Sequence, residues 1–287
     1  IAAGVDFIKI YELVSPEVFR SLVAGAAAHN LPIAAHVPLS LTADQAGPQV
    51  QSMEHLRNIE LACSNRAKAL HDRRAGLIAD PGKLSGYALR SKLHAEQRPQ
   101  ALGDLNIASE RCQRVIASLG STIQVPTLRL NTIFEYSPID REDWLASLAT
   151  LPPTVASQWQ ATAEQFAGKG SKAAIQSSQW SMALVSELHQ RGIPIGAGTD
   201  TPIGQAIPGY SLHTELERMV DAGVPPMVAL RAATVRPAEF LRIADQVGTI
   251  EAGKWADLVL LGANPLTDIR NTRAIEMVIA KGQVVRD

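Results

Sequence analysis

The sequence predicts an α/β protein built on a barrel of parallel strands, with a small β-annex at its C-terminal end. Three observations predict it. From residue 7 to residue 56, short apolar strands alternate with helices at short intervals, the pattern of a parallel α/β sheet. The segment Ile193-Pro-Ile-Gly-Ala-Gly-Thr-Asp200 runs an apolar strand through small residues straight into a carboxylate. In a parallel barrel such an ending places an acid at the C-terminal rim, where these folds keep their chemistry. Past residue 246 the pattern changes to short strands and tight turns.

The elements follow in order. Residues 7–11 alternate apolar and polar with β-branched character and read as a strand. Ser15-Pro16-Glu17 starts a helix: Ser caps, Pro fits the first turn, and Glu suits the positive end of the dipole. Val18, Leu22 and Val23 give that helix an apolar face, and it ends near Asn30. Leu31–Val37 is a continuous apolar strand of the kind buried on both faces. A short helix follows from Thr42, then a strand over Gln51–Leu56. Residues 60–118, with a turn at Asp80-Pro81-Gly82, read as a helical insertion over the barrel mouth. Ser121–Leu130 is a further strand, and 138–190 is helical again, broken by Pro152-Pro153 and Gly168-Lys-Gly170. After Asp200, helices are expected over 211–222 and about 226–244, with Pro237 opening a separate final segment. Val247–Ile250, Ala256–Leu261, Glu276–Ala280 and Gln283–Val285 are the strands of the annex. The expected division is therefore 1–246 and 247–287.

At 287 residues the chain can bury a large core, and 46% hydrophobic with 19% charged residues is a globular composition. Lys plus Arg is 27 and Asp plus Glu is 28, a net charge of −1, so charge gives no support for nucleic acid or a membrane surface as partner. A small-molecule substrate and a homo-oligomeric assembly are the expectations instead. No apolar run approaches the ~18 residues that cross a bilayer. Cys63 and Cys112 lack CxxC spacing and are expected as free, partly buried thiols. Ile1–Asp6 has no initiator Met and reads as the end of a helix and a tight turn feeding a strand, so the chain is expected to be the C-terminal portion of a longer parent, with its compartment left open.

Four strands carry or end on ligand-type residues: Lys9, His36, His55 and Asp200. Each alone has a plainer reading: an edge lysine, two core histidines, a turn or cap aspartate. Together they suit a buried metal site, and imidazole and carboxylate donors suit Zn2+, with Mn2+, Fe2+ or Ni2+ also compatible. A buried unpaired ammonium at Lys9 would be costly, whereas a CO2-carboxylated lysine is an anion able to bridge two ions. His29, His71, His94 and His189 read as solvated. Tyr11 and His213 are candidates for substrate contact. There is no Gly-x-Ser-x-Gly elbow and no phosphate-loop spacing.

The ordered set Lys9, His36, His55, Asp200 resembles the metal-dependent amidohydrolase superfamily, most closely its imidazolonepropionase-like and prolidase-like branch. Ala197-Gly-Thr-Asp200, Leu230-Arg-Ala-Ala-Thr234, Gly248-Thr-Ile-Glu-Ala-Gly-Lys254, Ala256-Asp-Leu-Val259 and Asn264-Pro-Leu266 stand in the family's order. The resemblance implies a partial (β/α)8 barrel, about strands four to eight, beside a small β-sandwich piece. It implies that Lys9 is a carboxylated bridging ligand, that His36 and His55 bind a second metal, and that Asp200 binds the first metal and acts as general base. It implies one or two Zn2+ and hydrolysis of an amide, peptide or cyclic amide. A deaminase or lactonase on the same site, or a non-catalytic scaffold, are the alternatives. The family's His-x-His pair of strand one is absent, and Val37-Pro38 stands where prolidase-like relatives often carry an aromatic residue.

Overall fold

The structure, a computed structural model, describes residues 4–286. Of the helix end and turn read over Ile1–Asp6, the first three residues lie outside the described residues. The chain forms two compact units: one runs through Val125 and includes Leu188–Pro194, the other takes Pro126–Glu187 and the chain from Ile195 onward.

The first unit is built on a four-stranded parallel sheet. β1 (Ile8–Ile10) pairs with β2 (Ile33–Ala35) after the helix α1 (Pro16–Ala28). The Ser15 hydroxyl caps α1 by accepting from the Val18 N–H at 3.2 Å, as its sequence predicts. α2 (Ala43–Ala46) leads to β3 (Ser52–Glu54), which pairs with β2. Four helices then intervene: α3 (Ile59–Cys63), α4 (Ala67–Ala79), α5 (Gly86–Leu102) and α6 (Glu110–Ser118). They occupy the stretch expected to be a helical insertion. β4 (Ile123–Val125) completes the sheet beside β3. Ile10, Ile33, Ala34, Ala35 and Met53 are buried, as strands covered on both faces require.

Cys63 and Cys112 are not free thiols. They form a disulfide that joins α3 to α6, with Cα atoms 4.2 Å apart. Both side chains are buried, so the expected burial holds and the expected redox state does not. The two cysteines lie 49 residues apart, and no local spacing signals that pairing.

In the second unit come α7 (Leu128–Asn131), α8 (Glu142–Ser147), α9 (Pro153–Phe166) and the start of α10 (Lys172–Gln190), then α11 (Tyr210–Asp221), α12 (Pro226–Ala233) and α13 (Val235–Leu241). Trp144, Leu148, Ala163 and Ile207 form one of its cores. A three-stranded antiparallel sheet, β5 (Leu258–Leu261), β6 (Ile275–Ala280) and β7 (Gln283–Arg286), makes the annex. No helix of the described residues is long and apolar enough to cross a membrane.

Several expected strands are shorter or missing. Ile193–Asp200 is not a strand: only Ile195 makes a bridge. Pro194 cannot donate, and Gly196 and Gly198 have no side chain to pack. The Pro194 carbonyl still accepts from the Gln124 N–H at 2.8 Å. The strand expected over 121–130 stops at Val125, because Pro126 has no N–H and Thr127 takes a left-handed φ of 50°. Val247–Ile250 is a bend: Gly248 sits at φ 95°, and a Cβ there would lie 3.0 Å from Ala238 Cβ. The helical break falls at Thr234, not at Pro237, since Pro fits the first turn of α13.

Candidate active site

Parallel strands deliver their next residues to one edge of the sheet, and three candidates sit there. His36 follows β2 and His55 follows β3, and each continues the ladder: the His36 N–H donates to the Ile10 carbonyl (3.0 Å) and the His55 N–H to the Val125 carbonyl (2.7 Å). Both rings are buried, with centroids 4.7 Å apart in an edge-on arrangement. Tyr11, just past β1, lays its ring 4.5 Å from His36. The loop after β3 is strained. His55, Leu56 and Asn58 all have left-handed φ values, at 65°, 56° and 68°. Such a conformation is rare for a bulky residue like Leu, and it persists where the surroundings over-determine it.

Behind the histidines lies Glu12, fully buried. His36 Nδ1 meets its Oε1 at 3.1 Å, His94 Nε2 meets its Oε2 at 2.6 Å, and Arg90 Nη2 donates to Oε1 at 3.2 Å. Burial alone would raise this carboxyl, but the hydrogen bonds with His36 and His94 and the charge of Arg90 outweigh it and hold it far below the usual carboxylate range. An ionised Glu12 accepts only, so the His36 Nδ1 carries the proton in that bond. Burial, with His36, Arg57 and Lys9 adding to it, pushes the His55 imidazole down to about 2. The His55 ring is therefore a neutral donor at neutral pH.

This suits a metal ion. A ligating histidine commonly gives its other ring N–H to a carboxylate, which fixes the ring and its tautomer, and Glu12 does that for His36. The pair supplies two donors and not a finished cage: among the described residues, no group of three or more His, Cys, Asp or Glu side chains is arranged to hold an ion.

Lys9 departs from expectation. Its side chain is 44% exposed, on the edge strand β1, with Nζ 3.8 Å from Glu54 Oε1. The premise of a buried unpaired ammonium is therefore wrong: among the described residues β1 has no neighbour beyond it in the sheet, and the Lys9 side chain reaches water. His94 also departs from expectation, since it is part-buried against Glu12 rather than solvated. His71 is part-buried as well, and its Nδ1 has no hydrogen-bond partner.

Asp200 and His213 belong to the second unit. Asp200 is exposed in a turn, at φ 53°, and its carbonyl accepts from the Ile203 N–H at 2.8 Å. His213 Nδ1 meets Thr272 Oγ1 at 3.0 Å, and burial, with Arg273, lowers its pKa. It lines a largely apolar cavity of about 650 Å³ with Leu212, Leu216, Trp255 and Leu258.

Glu12, Arg57, Arg90 and His94 were not singled out from the sequence. Arg90 and His94 are one helical turn apart on α5, the spacing that lets two donors share one acid. That spacing is visible in the chain, but the identity of the acid is not, because it lies about 80 residues away.

Comparison with known proteins places this geometry. An α/β protein with parallel strands ending on buried histidines is the class the fold defines. Residues 144–285 match the amidohydrolase family. Adenine deaminase 4 of Rhizobium meliloti is 34% identical over 105 residues, 36% of this chain and 16% of that protein. The imidazolonepropionase of Thermoplasma acidophilum is 32% identical over 100 residues, 33% of this chain and 24% of that one. Bottromycin amidohydrolase aligns over 99% of this chain and 56% of its own, with TM-score 0.69 and 20% identity. A Xaa-Pro dipeptidase with bound methionine aligns over 100% of this chain and 56% of its own, with TM-score 0.58 and 20% identity. The chain thus spans little more than half the length of these solved structures and a quarter or less of the two sequence relatives. The family match and the sequence relatives support the amidohydrolase superfamily, and the solved structures share its fold.

Proposed function

We infer that this chain is the metal-bearing portion of an enzyme that hydrolyses a C–N bond of a small molecule. The observation that carries the reading is the buried His36–His55 pair, with the His55 ring neutral and His36 oriented by Glu12. A bound divalent cation, Zn2+ first, would supply Lewis-acid polarisation of the substrate and acidify a water. His36 offers Nε2 to it, and Glu12 keeps that ring and tautomer fixed. Asp200 takes the proton from the attacking water and returns it to the leaving nitrogen as the C–N bond breaks. Tyr11, tilted against His36, orients the substrate, and His213 shapes a wall of the second unit.

The wider frame belongs to the same proposal: a partial (β/α)8 barrel over 1–246, a β-sandwich piece over 247–287, and a homo-oligomer. Carboxylation of Lys9 would turn its positive charge negative and break its pairing with Glu54, which frees the side chain to bridge ions. The adenine deaminase match favours a second reading, release of ammonia from an amidine-like carbon on the same site.

The test is to purify the chain with zinc, measure bound metal, and assay a panel of dipeptides, N-acyl amino acids and adenine with and without a chelator. Zinc should bind, and His36→Ala with His55→Ala should abolish it. Unchanged zinc content in that double variant would sink the reading. Ammonia release, as against amine release, separates the two chemistries.

A further inference from the structure

We propose that Arg129, locked in place by Glu215, is the positioning residue of the Asp200 loop: its guanidinium holds the turn that carries the carboxylate in one conformation. The inference rests on the proposal that Asp200 acts at the site, and it names the part that sets its direction.

Glu215, on α11, is fully buried. Its two carboxylate oxygens accept from the backbone N–H groups of Leu128 (2.9 Å) and Arg129 (2.7 Å), at the start of α7. The Arg129 side chain then turns back. Its Nη1 donates to the carbonyls of Thr199 (3.0 Å) and Ile203 (2.7 Å), and its Nη2 donates to the Gly204 carbonyl. The three acceptors bracket Asp200, one on the residue before it and two just after. They are backbone carbonyls and not carboxylates. A buried guanidinium usually sits against an acid, because burying its charge is costly. Here the charges of Glu215 and Asp200 act on it, and its rigid fork of donors meets the loop carbonyls, which a single ammonium could not match.

The loop is shaped to receive it. Asp200 is left-handed at φ 53°, and its own carbonyl closes the turn onto the Ile203 N–H. The Thr199 and Thr201 hydroxyls meet at 2.8 Å across it. Gly204, at φ 58°, is pressed against α7: a Cβ there would stand 2.6 Å from Leu130 Cδ1 and 3.0 Å from Arg129 Nη2. A left-handed aspartate between two carbonyl anchors has little freedom left. The turn fixes the direction in which its Cα–Cβ bond leaves the backbone.

The experiment combines hydrogen exchange over residues 196–206 with Zn2+ titration, on the 287-residue chain and on Arg129→Met, Arg129→Lys, Gly204→Ala and Asp200→Asn. Arg129→Met should raise exchange at the Ile203 amide by about tenfold or more while the amides of β1–β4 keep their protection. It should weaken zinc binding as much as Asp200→Asn does, and Arg129→Lys should recover part of both losses. Asp200→Asn should leave loop protection intact. The proposal is overturned if Arg129→Met leaves the loop as protected as in the parent chain. It is equally overturned if the loop loosens while zinc binding stays unmoved and Asp200→Asn weakens it. Zinc binding indifferent to Asp200→Asn would remove Asp200 from the metal reading, and the clamp would then stand or fall on the exchange data. Should Arg129→Met fail to fold, Gly204→Ala pushes the same contact from the loop side, and unchanged exchange in that variant overturns the proposal.

Discussion

Glu12 shows what a single residue decides. It is the acid on which His36, His94 and Arg90 converge, and Gln in its place would leave the Arg90 guanidinium buried without a counter-charge. Removing one partner of such a pair costs about 3–5 kcal/mol, and removing both costs less. Glu12→Gln should therefore lower the urea unfolding free energy by that amount, and adding Arg90→Met should restore part of it. A loss under about 1 kcal/mol would mean that the cluster is open to water. Glu215 makes the opposite case. Burial pushes its carboxyl up to about 7 from an ordinary 4.5, against the pull of the two backbone N–H groups. A folded pKa above the unfolded one means that the native state holds the proton longer. The stabilisation is full below pH 4.5 and is lost as pH rises through about 7, by about 3 kcal/mol. Denaturation at pH 5 and pH 8 should show that fall in the parent chain and a flatter response in Glu215→Gln. Equal slopes would place the titration elsewhere. Neither acid stood out in the sequence: His36 and His55 were legible because strands ended on them, whereas Glu12 and Glu215 are identified only by partners distant in the chain.

At the scale of elements, the disulfide carries the clearest prediction. It joins α3, directly after the strained His55 loop, to α6, and closes a stretch of 49 residues. In the chain-entropy account a loop of that length contributes about 4 kcal/mol through the unfolded state. Cys63→Ala with Cys112→Ala, or reduction of the parent chain, should lower unfolding stability by roughly that amount. Unfolding the parent without reductant should expose no free thiol. Two titratable thiols per chain would refute the bond. The helices and the first three strands were legible, since caps, prolines and apolar runs are local signals. The disulfide was not legible, because the pairing is made by the packing of α3 on α6. The expected strand into Asp200 failed for a related reason: Ile195 makes a bridge, but proline and glycines prevent a ladder, so apolar character was mistaken for pairing.

For the whole molecule, the antiparallel sheet sets the behaviour in solution. β5 and β7 are both edges of it, and their outer residues are apolar: Val259 is 55% exposed and Val285 is 61% exposed, with Ile250 nearby at 87%. Beside them opens the apolar cavity of about 650 Å³. Unpaired edges with apolar side chains are templates for another chain, and patches of this kind mark association surfaces. The sequence announced these strands as short segments between tight turns, but which faces they leave uncovered depends on packing that no local pattern encodes. Charge does little to oppose contact, since the net charge is −1 and the pI is about 6.7. The chain should therefore self-associate reversibly at about 10–100 µM near pH 7, and less at pH 9, where its net charge is larger. Sedimentation velocity across that range measures it directly. Val259→Lys with Val285→Lys places like charges on both edges and should return the monomer without changing the zinc content. A parent chain that stays monomeric throughout would show that the open sheet is tolerated, and would remove the reason to expect assembly through this face.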